Sequence, residues 1–307
     1  MQTPDQTGAA GKPVDASLYD ADYFLTECEG YQEFAASGGH VLSGRLATAL
    51  SHADVQPGMR VLDVGCGRGE SLIWLMEREV EVWGLDYATD ALRLAKTAVG
   101  AAPVGAGWST YPVGAGWSTY PVGAGWSTYD QSARTGHSTQ GSFGLFAANA
   151  RRLPFLSSSF DRVLMLDIIE HLLPWELQQA LQEAHRVLKE DGKLVVHTAP
   201  NLWYYRFGYP LFRAFQRLRG VQLPPNPRQR FRSHQHVHVN EQSPRSLAQA
   251  LRNAGFRPRI WLTDTQRRWA QQGRLSYVLG WLATHCYPLK WVFCGDILAV
   301  ASRVKTP

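Results

Sequence analysis

Short apolar runs alternate with helix-period segments along most of this chain. Val61-Leu62-Asp63-Val64, Glu81-Val82-Trp83-Gly84-Leu85-Asp86 and Lys193-Leu194-Val195-Val196 are β-prone runs with turn or charge signals at their ends. The pattern predicts strands near 60–65, 80–86, 143–148, 162–167, 193–199, 256–262 and 296–303, and helices near 70–79, 89–99, 175–189 and 243–254. The helix after Pro174 has the clearest periodicity, since Leu177, Leu181, Ala184 and Leu188 fall on one stripe and proline suits a first helical position. Asp191-Gly192 is expected to turn the chain into the strand that follows. Such alternation predicts an α/β fold, a mostly parallel sheet with helices on both faces.

The first strand opens directly into Gly65-Cys66-Gly67-Arg68-Gly69 and then a helix. Three alternating glycines let the backbone turn sharply and let a ligand approach without meeting a Cβ. The spacing is G-x-G-x-G, so the dinucleotide cradle with its G-x-G-x-x-G is not what it favours. Asp86 closes the second strand 17 positions after Gly69, where a carboxylate can accept both hydroxyls of a ribose. A nucleoside site is the expectation, with an ordinary strand-terminal acid as the alternative for Asp86.

Four blocks in order give the chain a family likeness. VLDVGCGRG (61–69), VWGLDYATDAL (82–92), ANARRLPFLSSSFDRVLMLDIIEHL (148–172) and HRVLKEDGKLVVHTAPN (185–201) resemble the motifs of class I S-adenosylmethionine-dependent methyltransferases, in particular the small-molecule branch related to ubiquinone biosynthesis. The resemblance implies a Rossmann-like, seven-stranded, mostly parallel sheet whose last strand inserts antiparallel, and S-adenosyl-L-methionine as cofactor. It further implies that Asp63, Gly65, Cys66, Gly67 and Gly69 meet the methionine part and the sugar edge, Asp86 and Tyr87 the ribose, and Asn149 with Ala150 the adenine, with Asp167 ending the fourth strand beside them. Asp63 has an alternative role in holding the loop's own amides. Relatives usually carry an acid where this chain has Asn149, whose amide oxygen can still accept from an adenine amine, without charge assistance. By the same likeness Tyr19 to Phe24 forms a lid, with Tyr23 towards the acceptor. The implied organisation is a leader or lid over 1–45, a cofactor-binding core over 46–200, and acceptor-side insertions with the last strands over 201–307.

Composition refines this reading in a few places. A chain of 307 residues, 45% hydrophobic, can bury the core of one enlarged domain. Cys28, Cys66, Cys286 and Cys294 have neither disulfide-like nor metal-like spacing, so free thiols in a reducing cytoplasm are expected. The first residues lack the basic start and apolar run of a secretory signal. The most apolar tract, Tyr277 to Val300, is broken by His285, Pro288, Lys290 and Asp296 and should not span a bilayer. Between Asn201 and Leu275 there are fourteen arginines, no lysine, and only Glu241 and Asp264 as acids, a local balance of +12 in a chain of net +5. That asymmetry suits an anionic partner such as a phosphorylated or carboxylated substrate or a lipid headgroup, and with Trp203 to Phe212 it suits peripheral membrane contact. A solvated basic face is the alternative, and nucleic acid is not expected because no binding module accompanies the charge. Pro-Val-Gly-Ala-Gly-Trp-Ser-Thr-Tyr occurs three times unchanged over 103–129 and is expected to be an exposed loop.

Methyl transfer from a sulfonium needs alignment and exclusion of water, and an acidic acceptor also needs a base. His171 is the candidate base, because Asp167-Ile168-Ile169-Glu170-His171 follows a strand whose carboxyl end faces the crevice; lining the pocket is its alternative. His234, His236 and His238 recur at period two, and His236 and His238 are candidate acceptor contacts. No metal is expected there, since no carboxylate or cysteine stands at a suitable spacing. The acceptor classes in view are a small molecule, a lipid-linked molecule or an envelope glycan. A nicotinamide oxidoreductase is disfavoured by the loop spacing, and a non-catalytic adenosyl-binding or scaffold protein is the other alternative.

Overall fold

Eight strands form one sheet in the computed structural model, which describes residues 11–101, 109–110, 142–230, 237–265 and 274–304. The strands are β1 Arg60–Val64, β2 Glu81–Asp86, β3 Ser109–Thr110, β4 Ser142–Ala147, β5 Phe160–Leu166, β6 Leu188–Thr198, β7 Phe256–Thr263 and β8 Asp296–Arg303, in the order β3-β4-β2-β1-β5-β6-β8-β7. Seven are the expected strands. The eighth, β3, is a two-residue addition at the β4 edge. Apart from that backbone, the triple repeat lies outside the described residues, as do His234 and His236. All strands from β1 to β6 pair in parallel, and β8 lies antiparallel between β6 and β7.

Period-two alternation sorts the strand side chains to two cores. Along β5, Val163 and Met165 face one core and Leu164 and Leu166 the other; β6 and β8 do the same with Leu194 and Val196 against Val195, and Ile297 and Ala299 against Leu298. Burial on both faces is what a parallel sheet under helices requires. The first core is closed by α5 Pro174–Val187, through the anticipated Leu177, Leu181 and Ala184, and by α7 Pro244–Asn253 through Leu247 and Leu251. The second is closed by α2 Gly44–Ser51, α3 Glu70–Met76 and α4 Thr89–Ala101. Ahead of these come a π-helical turn Tyr23–Glu27 and α1 Tyr31–Ser37. Between β6 and α7 a second π-helical turn, Tyr204–Gly208, runs into α6 Tyr209–Leu218, and α8 Arg274–His285 with α9 Lys290–Phe293 precedes β8.

The turn anticipated at Asp191-Gly192 is not a separate turn. Strand β6 begins at Leu188, and the register with β5 shifts between Phe160 and Arg162 to absorb the extra residues. There the chain folds so closely that a Cβ on Gly192 would lie 3.0 Å from the Lys189 carbonyl. All four cysteines are free, and among the described residues no helix is long and apolar enough to cross a membrane.

Candidate active site

The carboxyl ends of β1, β2, β4, β5 and β6 share one edge, and the sheet order departs in both directions from β1. Such a switch point leaves a crevice outside the strand ends, and here one continuous cavity runs from the Gly65–Gly69 loop past Asp86 and Asn149 to Asp167 and His171.

Its floor is the glycine loop. Gly65, Gly67 and Gly69 have φ of 79°, 51° and 92°, a left-handed region that other residues enter at a cost. A Cβ at Gly65 would sit 2.8 Å from Ile168 Cδ1, and one at Gly69 would meet Ala95 at 3.1 Å, so turn and packing both demand glycine. The Gly65 and Cys66 amides donate to the Leu85 carbonyl at 2.7 and 3.0 Å, which locks the loop to β2. Cys66 lines the cavity and is buried, and burial raises its thiol well above the usual range.

Two carboxylates flank the loop. Asp63 accepts from the Ser71 hydroxyl through one oxygen, whereas its Oδ1 is buried with no hydrogen-bond partner. Burial, with Asp86 and Glu70 nearby, pushes its carboxyl up to about 7. An orphaned buried acceptor marks a place where a donor or cation from a ligand fits. Asp86 accepts from the Gly67 amide at 3.0 Å and the Ala88 amide at 2.9 Å, and burial raises it to about 6. An ionised carboxylate has about four acceptor positions, so these amides leave acceptor capacity for a ribose hydroxyl. The glycine cradle, the orphaned oxygen and the spare acceptors fit an adenosyl amino acid.

Arg68, within the loop, is a cavity-lining residue that sequence reasoning did not single out. Its guanidinium is 3% exposed; it pairs with Glu70 at 2.6 Å and donates to the carbonyls of Phe24 at 2.6 Å and Glu29 at 2.8 Å. The leader is thereby strapped over the cavity, where Tyr19, Tyr23 and Phe24 form its roof. Tyr23 and Tyr87 both pack edge-on against the Tyr19 ring, at 5.2 and 5.6 Å. Asn149 and Ala150 line the cavity as well, but the Asn149 oxygen already accepts from Arg151 N and Nε at 3.0 and 3.1 Å. Contact with an adenine amine would need that oxygen to be released.

The exit of β5 supplies the remaining charged groups. Asp167, at φ 54°, pairs with His197 Nδ1 at 2.7 Å, and Arg45 lies 3.9 Å from its other oxygen. Burial works to raise the Asp167 carboxyl, but His197 and Arg45 outweigh it and hold the group below the ordinary carboxylate range. Glu170 moves the opposite way: burial and the neighbouring Asp167 push it up to about 8, while Thr198 donates to it at 2.9 Å. Arg45 also lies 3.8 Å from Glu29 and 3.7 Å from Asp296, a hub joining the leader, β5 and β8. Neither Arg45 nor His197 carries a local sequence signal for this role.

His171 lines the same cavity beyond Asp167. Its Nδ1 is 2.9 Å from the Tyr19 hydroxyl and 3.2 Å from the Val237 carbonyl. Assigning the imidazole proton to Nδ1 serves that carbonyl and leaves the Nε2 lone pair unprotonated. Burial lowers its pKa to about 4, so the ring is neutral near pH 7. His238 packs edge-on at 4.8 Å, and ligand atoms of Glu170, His171 and His238 lie within 4.8 Å of one another. Tetrahedral zinc ligands stand about 3.4 Å apart, so closing this trio on an ion needs movement. His236, the other anticipated acceptor contact, lies outside the described residues.

Comparison with known proteins places this architecture. The profile of a methyltransferase-domain family matches residues 31–259. An uncharacterized methyltransferase of Synechocystis (sll0829) is 28% identical over 158 residues, covering 51% of this chain and 55% of that protein. The chain spans about half or less of the length of the curated relatives it matches. Among solved structures, a SAM-dependent methyltransferase from Methanosarcina mazei superposes with TM-score 0.51 at 17% identity, covering 84% of this chain and 98% of that one. The [4+2]-cyclase SpnF superposes with TM-score 0.56 at 14% identity, covering 98% and 100%. Those two likenesses speak to the fold alone. The profile covers most of the chain, and the chain therefore belongs to the methyltransferase-domain family.

Proposed function

We propose that this protein transfers a methyl group from S-adenosylmethionine to a small acceptor, partly apolar and anionic or lipid-linked. The observation that carries the reading is the single cavity joining the Gly65–Gly69 loop and Asp86 to His171 under a roof of leader aromatics. The bound cofactor supplies an activated methyl on a sulfonium, and it carries its own leaving group. The chain's residues have the other tasks. Asp63 Oδ1 is placed for the cationic methionine part and Asp86 for the ribose, while Tyr19, Tyr23 and Phe24 exclude water from above. His171, neutral and with Nε2 unprotonated, accepts the acceptor's proton. A scaffold that had abandoned chemistry would have little use for this buried set of titrating groups. The apolar roof and the arginine-rich sequence of 201–275 support a membrane-proximal or lipid-like acceptor. The leader, core and acceptor-side division of the chain fits the same reading, with 1–45 as lid and 201–307 as acceptor wall.

Titration of the purified protein with S-adenosylmethionine and with S-adenosylhomocysteine tests the assignment. Heat and a melting-point gain are expected for both, and neither for NAD. Absence of both signals for the adenosyl compounds would refute it. Asp86→Ala is expected to weaken S-adenosylhomocysteine binding by about 1–3 kcal/mol in calorimetry, the scale for losing a partner of a buried polar group.

Acidity provides a second readout. The free protein holds Asp63 and Asp86 up at about 7 and 6, so around pH 5.5 both are largely protonated. A cation and a hydroxyl donor favour the carboxylates, so binding releases protons, and affinity should rise at least about tenfold between pH 5.5 and 8. The sign for stability is the reverse: with folded values above unfolded ones, the free protein loses stability as pH rises through 4 to 7. Calorimetry in buffers of different ionisation enthalpy would detect the proton release. A pH-independent affinity with no proton exchange would remove Asp63 and Asp86 from the ligand's surroundings.

A further inference from the structure

The described surface carries two exposed apolar helix stripes set in basic sequence. On the first, Phe207, Leu211, Ala214 and Leu218 recur at helical spacing from the π-helical turn through α6, with Leu211 60% and Leu218 88% exposed. Arg206, Arg213 and Arg217 follow one flank of this stripe, about 80–120° around the helix axis. On the second, α8 exposes Tyr277, Val278, Trp281 and Leu282, also one face. The two helices are tied together, because the Arg219 guanidinium donates to the Ser276 hydroxyl at 2.7 Å. The segments that lead into α6 and out of α8 meet at the crevice edge of the sheet: Asn201, just past β6, donates to the carbonyls of Trp291 in α9 and of Cys294 at 3.1 and 3.0 Å.

Sequence charge decides what such a face fits. Neither 201–240 nor 265–295 contains a single Asp or Glu, and together they hold ten arginines and one lysine. A second copy of the chain would bring two positive faces together, which like-charge repulsion opposes. Leucine and aromatic side chains on one helix face with arginines beside them is the composition of a helix that lies in a membrane interface, its apolar stripe among the upper acyl chains and its guanidinium groups on the phosphates.

We propose that α6 and α8 form a docking face for a bilayer surface rich in anionic phospholipid, so that the crevice edge of the sheet faces the membrane. This docking goes beyond the methyl-transfer reading and does not depend on it. Each basic side chain near an anionic leaflet is worth on the order of fivefold in affinity.

Sedimentation of the full chain with vesicles tests the proposal. The protein should pellet with an equal mixture of phosphatidylglycerol and phosphatidylcholine, not with phosphatidylcholine alone, and the binding should weaken with added salt. Arg206→Glu with Arg217→Glu, and separately Leu211→Glu with Leu218→Glu, should each weaken binding about tenfold or more. Both pairs should keep the melting temperature and the S-adenosylhomocysteine heat, since none of these residues lines the cavity. Where a glutamate pair fails to fold, the corresponding glutamine pair takes its place. Failure to pellet with the anionic mixture at low salt, equal binding to both vesicle types, or variants within threefold of the wild type would overturn it. So would a dimer in gel filtration that Leu211→Glu dissociates, which would assign the face to a second copy.

Discussion

Replacing Arg68 with alanine should destabilise the protein by about 3–5 kcal/mol, the cost of breaking a buried ion pair from one side. The guanidinium is 3% exposed and meets Glu70 as well as the carbonyls of Phe24 and Glu29. Without it, Glu70 keeps a charge at 7% side-chain exposure with that partner gone, and two leader carbonyls lose their donors. Denaturant unfolding of Arg68→Ala and of the double variant Arg68→Ala with Glu70→Gln separates the contributions, because the double variant removes the stranded charge and should recover part of the loss. Arg68→Lys should not rescue, since an ammonium cannot reach several acceptors with one planar fork. A loss under 1 kcal/mol for the alanine variant would show that the leader is held by its aromatic packing instead.

His171→Gln should lower kcat by about 100- to 10,000-fold, the usual span for removing a general base, with S-adenosylhomocysteine affinity unchanged. Glutamine can keep a hydrogen bond to the Val237 carbonyl but has no basic nitrogen. The pH–rate profile gives an independent check. Burial holds the imidazole at about 4, so its basic form persists well below 6.5 and the acidic limb attributable to it should lie near 4–5. A variant within tenfold of the wild type, or one whose loss is all in KM, would reduce His171 to a wall of the pocket.

What could be read from the chain was what its physics makes local. The β1 run, the three glycines and Asp86 announced themselves because a strand, a left-handed turn and the next strand's acid are each dictated by neighbouring residues. The stripe on α5 was legible for the same reason, as was the alternation that built both cores. The antiparallel seat of β8 came from family likeness, not from pattern. Arg68 was illegible because its leader partners are backbone carbonyls some forty positions away, and a carbonyl has no sequence signature. His197 meets Asp167 only because β5 and β6 pair Leu166 with His197, a register that no single strand reveals. Asn149 read as an adenine contact, yet its oxygen is taken by Arg151 two residues on, a local turn that competes with a ligand. The helices at 209–218 and 274–285 were missed because their apolar faces point outward, which blurs the contrast that pattern reading depends on.

The seat of β8 has one more consequence. By filling the interior position beside β6, it pushes β7 to the border of the sheet, where one line of peptide groups has no neighbouring strand among the described residues. A bare border of this sort invites other molecules to add strands and start aggregates. Here it reads Phe256-Arg257-Pro258-Arg259, so that a recruit would face two cations and a residue with no N–H to share. A protein with sticky helices elsewhere thus keeps its most dangerous margin closed to its own kind.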